Sequence, residues 1–197
     1  MLVDLFKEVD AGGYEAFQHL TKQHPELLSP MQLGTWISGY IGVGCILLLV
    51  VVVFLVRGRT RSAQVSLAAL VIGLILVETM RHTVGARRPG NAETFLAPEE
   101  MTRSFPARSV LLFTLAGVLL IFAAWGALSS TWMRLMVTVV MVVVVLGVAL
   151  SQLMLQLHFV TDVVGGLFGG LTLALLASRF FEERRDAGST RPGSTSG

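Results

Sequence analysis

Residues 132–162 read WMRLMVTVVMVVVVLGVALSQLMLQLHFVTD, and this stretch decides the fold. From Arg134 it runs to Leu157 without a further charge, longer than the roughly 20 apolar residues a helix needs to cross a hydrocarbon core. Its polar residues, Ser151, Gln152, His158 and Asp162, gather at the far end. His158 and Asp162 are four apart, so a helix through them would carry an imidazole and a carboxylate on one face at the membrane boundary.

Outward from this segment, four more runs have spanning or near-spanning length. The first, about 33–56, has no charge and carries Trp36 and Tyr40 near its start as interfacial anchors. The second, about 63–83, admits Glu78 and Arg81 only in its last turns, and the others cover about 109–128 and 159–180. With 53% hydrophobic residues, 14% charged residues and a mean hydropathy of +0.71, the chain lies outside the soluble class. The pattern predicts an all-α, polytopic transmembrane bundle of about five crossings.

Before the bundle, Leu2, Leu5, Phe6 and Val9 recur at helical spacing among charges, and Phe17 and Leu20 repeat the stripe after Gly12-Gly13. Residues 1–31 therefore read as an interfacial amphipathic segment of one helix or two, broken at the glycines, rather than as a secretory signal peptide. Residues 32–182 form the transmembrane domain, and 183–197, rich in Gly, Ser, Thr, Arg and Pro, read as a disordered tail. Cys45, alone in the chain, reads as a small core filler and excludes an internal disulfide. Met133, Met136, Met141 and Met154 read as core or lipid-facing residues, and Gly165-Gly166-x2-Gly169-Gly170 as close helix packing or a dimer face.

Tracing five crossings puts the end of span two, the start of three, the end of four and the start of five on one side. Every candidate site residue falls there. The other side carries Arg57, Arg59, Arg61, Arg134, Arg179, Arg184, Arg185 and Arg191, against Lys7, Lys22, Arg81, Arg87, Arg88, Arg103 and Arg108 on the motif side. With Arg81, Arg88 and Arg108 set aside for function, the basic excess places the motif-free side in the cytoplasm. The expected location is a plasma or inner membrane, with the site facing the extracytoplasmic side. Basic residues at the edges of apolar runs point to lipid headgroups or phosphate as partners and exclude a nucleic-acid tract.

Three polar blocks carry the chemistry: Arg81-x6-Arg88-Pro89, then Phe105-Pro106-Ala107-Arg108-Ser109, then Ser151-Gln152-x5-His158-x3-Asp162. In their order and spacing they resemble the type 2 phosphatidic acid phosphatase superfamily, whose blocks are Lys-x6-Arg-Pro, Pro-Ser-Gly-His and Ser-Arg-x5-His-x3-Asp. The resemblance covers about residues 63–180. It implies a lipid phosphatase in which His158 is the phosphate nucleophile and Asp162 its partner, with Arg81, Arg88, Arg108, Ser151 and Gln152 binding substrate. No metal and no cofactor are implied.

The departures are as informative. Arg81 replaces a Lys and keeps the cation, while Gln152 replaces an Arg that in the family ligates phosphate. Ala107, Arg108 and Ser109 replace Ser-Gly-His and remove the histidine that protonates the leaving group, which a serine hydroxyl cannot do near neutral pH. Two readings follow. One is a lipid phosphate or polyprenyl diphosphate phosphohydrolase; the other is a catalytically impaired relative that binds lipid or serves as a structural subunit of a membrane complex, with homo-oligomers open in either case. For Arg108 the residues leave two roles, replacing the lost charge or pairing with Glu93, Glu99 or Glu100. Glu78, three residues before Arg81, reads as its ion-pair partner.

Overall fold

The computed structural model describes residues 2–89 and 103–182, and its described residues are helical with no strand. Helix α1 covers Leu2–Gln23, and a single 3₁₀ turn, Pro25–Leu27, leads into α2, Leu28–Ile37. Then come α3 (Tyr40–Val56), α4 (Thr60–Val84), α5 (Arg108–Ala127), α6 (Thr131–Met154) and α7 (Val160–Glu182). Four of these, α4 to α7, are long and apolar enough to span a membrane. The bent pair Pro25–Ile37 and Tyr40–Val56, which meet at 55°, is long and apolar enough only when taken together, as a fifth, broken span or a re-entrant loop. The protein is an integral membrane helix bundle.

Three expectations are corrected. The run 33–56 is not one helix: it breaks at Ser38-Gly39, where Gly39 is extended at the start of α3. The break is tight, since a Cβ on Gly42 would lie 1.7 Å from the Ile37 carbonyl oxygen, an approach only glycine permits. Conversely, Gly12-Gly13 does not break α1. Two helical glycines cost roughly 1 kcal/mol each, but Gly13 is where α1 presses on Val160, and that packing outweighs the local preference. Cys45 is exposed on α3 rather than in the core. The expected tail, 183–197, lies outside the described residues.

Helix α5 is the centre of the bundle. Its residues from Val110 to Gly117 are all buried, because neighbours cover it on every side. Lipid offers no hydrophobic drive for helices to associate, so contact has to come from close backbone approach. Gly166 and Gly170 of α7 supply it: a Cβ on Gly166 would sit 2.9 Å from the Ala107 carbonyl, and one on Gly170 2.4 Å from that of Leu111. The glycine pairs thus serve packing within the bundle. Helix α6 instead turns Val139, Val140, Val143 and Leu146 outward, where lipid would meet them. The result brings the end of α4, the start of α5, the end of α6 and the start of α7 together at one membrane face.

Gly170→Ala is expected to destabilise the protein by about 1–3 kcal/mol through overpacking, whereas Gly147→Ala, with nothing within 4 Å of the new methyl, is expected to be neutral or stabilising. Thermal unfolding in detergent checks both.

Candidate functional site

The turn between α6 and α7 is built by its backbone. Helix α6 ends with the Gln156 N–H donating to the Leu153 carbonyl and the Leu157 N–H to that of Gln152, both at 3.0 Å. This is a Schellman cap, with Gln156 left-handed at φ 55° where glycine is usual. A side chain there costs roughly 1–2 kcal/mol. The cap turns the chain sharply and delivers His158 one residue before the residue that flanks α7. His158 therefore lies in the turn, not on a helical face with Asp162, as the four-residue spacing had implied. Asp162 sits in the first turn of α7, and its Oδ2 accepts the Phe159 N–H at 3.1 Å, half of a capping box.

His158 and Asp162 are both buried. Arg88 Nη1 donates to His158 Nε2 at 2.9 Å and to the Leu157 carbonyl at 2.9 Å. A guanidinium has no acceptor, so Nε2 must present its lone pair and the proton must sit on Nδ1. Nδ1 is 3.6 Å from Asp162 Oδ2, too long for a direct hydrogen bond. The gap is bridged by the Ser104 hydroxyl, 3.3 Å from Nδ1 and itself donating to Asp162 Oδ2 in a short contact. The direct His158 to Asp162 bond expected from the sequence is thus replaced by a relay through Ser104. Ser104 carries little signal in the sequence beyond its place two residues before Pro106, just outside the second block.

Burial strips water from the imidazolium and pushes the His158 pKa down to about 4. Asp162 opposes this, while the charges of Arg88 and Arg81 reinforce it. The ring is neutral near pH 7, with a free electron pair on the nitrogen that faces the guanidinium.

The other named residues form two further groups. Arg81 is buried, donating Nε to the Arg103 carbonyl at 2.9 Å and Nη1 to Glu78 Oε1 at 3.1 Å. Arg108 Nη1 donates to the same Glu78 oxygen at 3.0 Å, with its guanidinium 4.8 Å above the Tyr40 ring. Glu78 is thus the observed partner of both arginines; Glu93, Glu99 and Glu100 lie outside the described residues. Ser151 and Gln152 turn to α2: Gln152 Nε2 donates to Thr35 Oγ1 at 3.2 Å, and Ser151 Oγ, bonded to the Val148 carbonyl at 2.7 Å, lies 3.4 Å from the same hydroxyl. The bend between α2 and α3 is what puts Thr35 there.

Comparison with known proteins gives a family and a fold. A family model described as the PAP2 superfamily matches residues 62–186. No curated protein matches the chain. Among solved structures, it is similar to that of the first transmembrane PAP2 type phosphatidylglycerolphosphate phosphatase from Bacillus subtilis, with a TM-score of 0.77. The two are 21% identical, with 91% of this chain and 88% of that chain covered.

Removing the relay should release the ring. In Ser104→Ala, Nδ1–H loses its near acceptor while Arg88 still holds Nε2, and the Nδ1 resonance of His158 is expected to shift as that hydrogen bond is lost. Nitrogen-15 NMR of histidine-labelled protein checks this; an unchanged Nδ1 resonance in the variant would mean that Ser104 does not bridge the ring to Asp162.

Proposed function

The chain belongs to the PAP2 superfamily, and on that footing we propose that it is a membrane phosphohydrolase of lipid phosphates or polyprenyl diphosphates, working through a phosphohistidine at His158. The observation that carries the reading is the 2.9 Å bond from Arg88 to Nε2, which gives a buried, neutral imidazole in the nucleophilic tautomer beside a fixed cation. An incoming phosphoryl oxygen would take the guanidinium N–H now given to Nε2, leaving the lone pair to attack phosphorus. The N–P bond forms as the P–O bond to the leaving oxygen breaks, the lipid oxygen of a monophosphate or the bridging oxygen of a diphosphate, and that oxygen departs with the electron pair. Positive charge that develops on the ring is spread to Asp162 through Ser104. Water then attacks the phosphohistidine, the N–P bond breaks, and inorganic phosphate leaves with the electron pair returned to Nε2.

Ser109 cannot protonate an alkoxide, so the reading favours a leaving group that departs as a stable anion. A polyprenyl diphosphate expels a lipid monophosphate, which needs little acid, and is the preferred class. Arg81 and Arg108 share the one carboxylate of Glu78, and the net positive charge these three residues carry would supply the remaining positive field. The arginine excess on the motif-free side supports an extracytoplasmic site in a plasma or inner membrane.

The bond from Gln152 to Thr35 favours a second reading, in which a phosphate ligand has been given up to helix packing and the protein binds lipid phosphate without turning it over. Phosphate release by protein in lipid nanodiscs separates the two. The expected result is release from a polyprenyl diphosphate, faster than from phosphatidic acid, and reduced at least about 10³-fold by His158→Ala. Binding without release would favour the second reading.

The pH profile has a set sign. Protonating Nε2 removes the nucleophile, so activity is expected to be retained below the ordinary imidazole value of 6.5 and to fall as pH approaches about 4. An acid limb near 6.5 would mean that the ring is hydrated in the working enzyme.

A further inference from the structure

Helix α7 opens at Val160, and the Phe159 carbonyl accepts the first intrahelical bond from Val163, so Phe159 occupies the N-cap position. That position normally carries Ser, Thr, Asp or Asn, whose oxygen accepts the N–H of the second or third helical residue. Phe159 has no such oxygen. The acceptor arrives from α1 instead: Asp10 Oδ1 takes the Thr161 N–H at 2.9 Å, and Asp10 Oδ2 takes the Thr161 hydroxyl at 2.7 Å. The bond bridges 151 positions of sequence.

A second bond ties α1 to the other side of the same turn. Thr21 Oγ1 donates to the Met154 carbonyl at 3.1 Å, one of the orphan acceptors at the end of α6. Between these points α1 lies on the turn, with Gly13 against Val160 and the Tyr14 ring 6.3 Å from that of Phe159. The helix is therefore fastened to both helix ends that flank His158.

We propose that Asp10 is a positioning residue for the nucleophile, supplying in trans the N-terminal cap that α7 lacks and so fixing Asp162, Ser104 and His158. The geometry makes the dependence direct. Thr161 is the residue before Asp162, and Asp162 orients the relay through Ser104 and takes the Phe159 N–H as well. Asp10 also sets a negative charge at the positive end of the α7 dipole. Without it the first turn of α7 is free to fray, and the carboxylate that orders the imidazole moves with that turn. Helix α1 is thus part of the site's supporting frame.

The proposal rests on His158 being the nucleophile, so its test has a readout that does not need turnover. Full-length protein in nanodiscs is compared with Asp10→Ala and Asp10→Asn by phosphate release from a polyprenyl diphosphate and by nitrogen-15 NMR of His158. Asp10→Ala is expected to lower kcat roughly tenfold to hundredfold, to leave KM within about twofold, and to shift or broaden the His158 Nδ1 resonance as the bond through Ser104 loosens. Asp10→Asn keeps the acceptor for the Thr161 N–H and is expected to recover part of kcat. A parent-like kcat and an unchanged Nδ1 resonance in Asp10→Ala would overturn the proposal. If Asp10→Ala does not fold, Asp10→Leu, which keeps the bulk without an acceptor, decides: lowered kcat with KM unchanged supports the proposal, and parent-like kinetics overturn it. If the parent shows no turnover, the hydrolase reading falls. The His158 spectrum of the variants then decides alone, an unchanged Nδ1 resonance being the contradicting result.

Discussion

A buried histidine ring must satisfy both of its nitrogens, and the arrangement around His158 follows from that constraint. A guanidinium on Nε2 forces the proton to Nδ1, and a proton on Nδ1 requires an acceptor that Asp162, at 3.6 Å, does not directly provide. Ser104 fills the gap, which couples the segment before α5 to the first turn of α7. The Ala107 N–H adds a backbone bond to the Asp162 carbonyl at 3.0 Å. The same bonds that orient the ring therefore join the four helix ends that meet at this face.

The backbone supports this arrangement at some cost. Gln156 takes a left-handed conformation that glycine would adopt freely, and Phe159 occupies a cap position that a polar residue would fill in cis. Both are local exceptions that concentrate within three residues of His158. Such exceptions persist where the surrounding structure over-determines them. Here the glycine-mediated contact of α5 with α7 and the bonds from α1 do so. The bundle itself needs no such devices: its spans are apolar runs, charged only near their ends, whose packing depends on small residues and volume.

How much was legible from sequence divides along the range of the interactions. The spans were readable because a long uncharged run has few other fates, and the bundle followed from their number. Arg88, His158 and Asp162 stood out because their spacing forms blocks, and the structure brings these three together. The α2–α3 break was hidden because Gly39 and Gly42 interrupt a run without changing its polarity. Ser104 was hidden because its bridging position depends on a separation between His158 and Asp162 that spacing does not report. Gln152 kept its place in the block, yet turned to Thr35 once the bend had put α2 beside it. Asp10 had no local signal at all, since its partner is 151 residues away.

The central claim is that His158 Nε2 is a nucleophile toward phosphorus. Its most direct test is to incubate the protein with a lipid substrate labelled in the terminal phosphate, quench in alkali, where phosphohistidine survives, and map the label by mass spectrometry. The account predicts a covalent phosphoryl group on His158 that is labile to acid, forms before inorganic phosphate appears and is absent in His158→Ala. Phosphate release from the unmodified protein with no label on His158 at any time would contradict it.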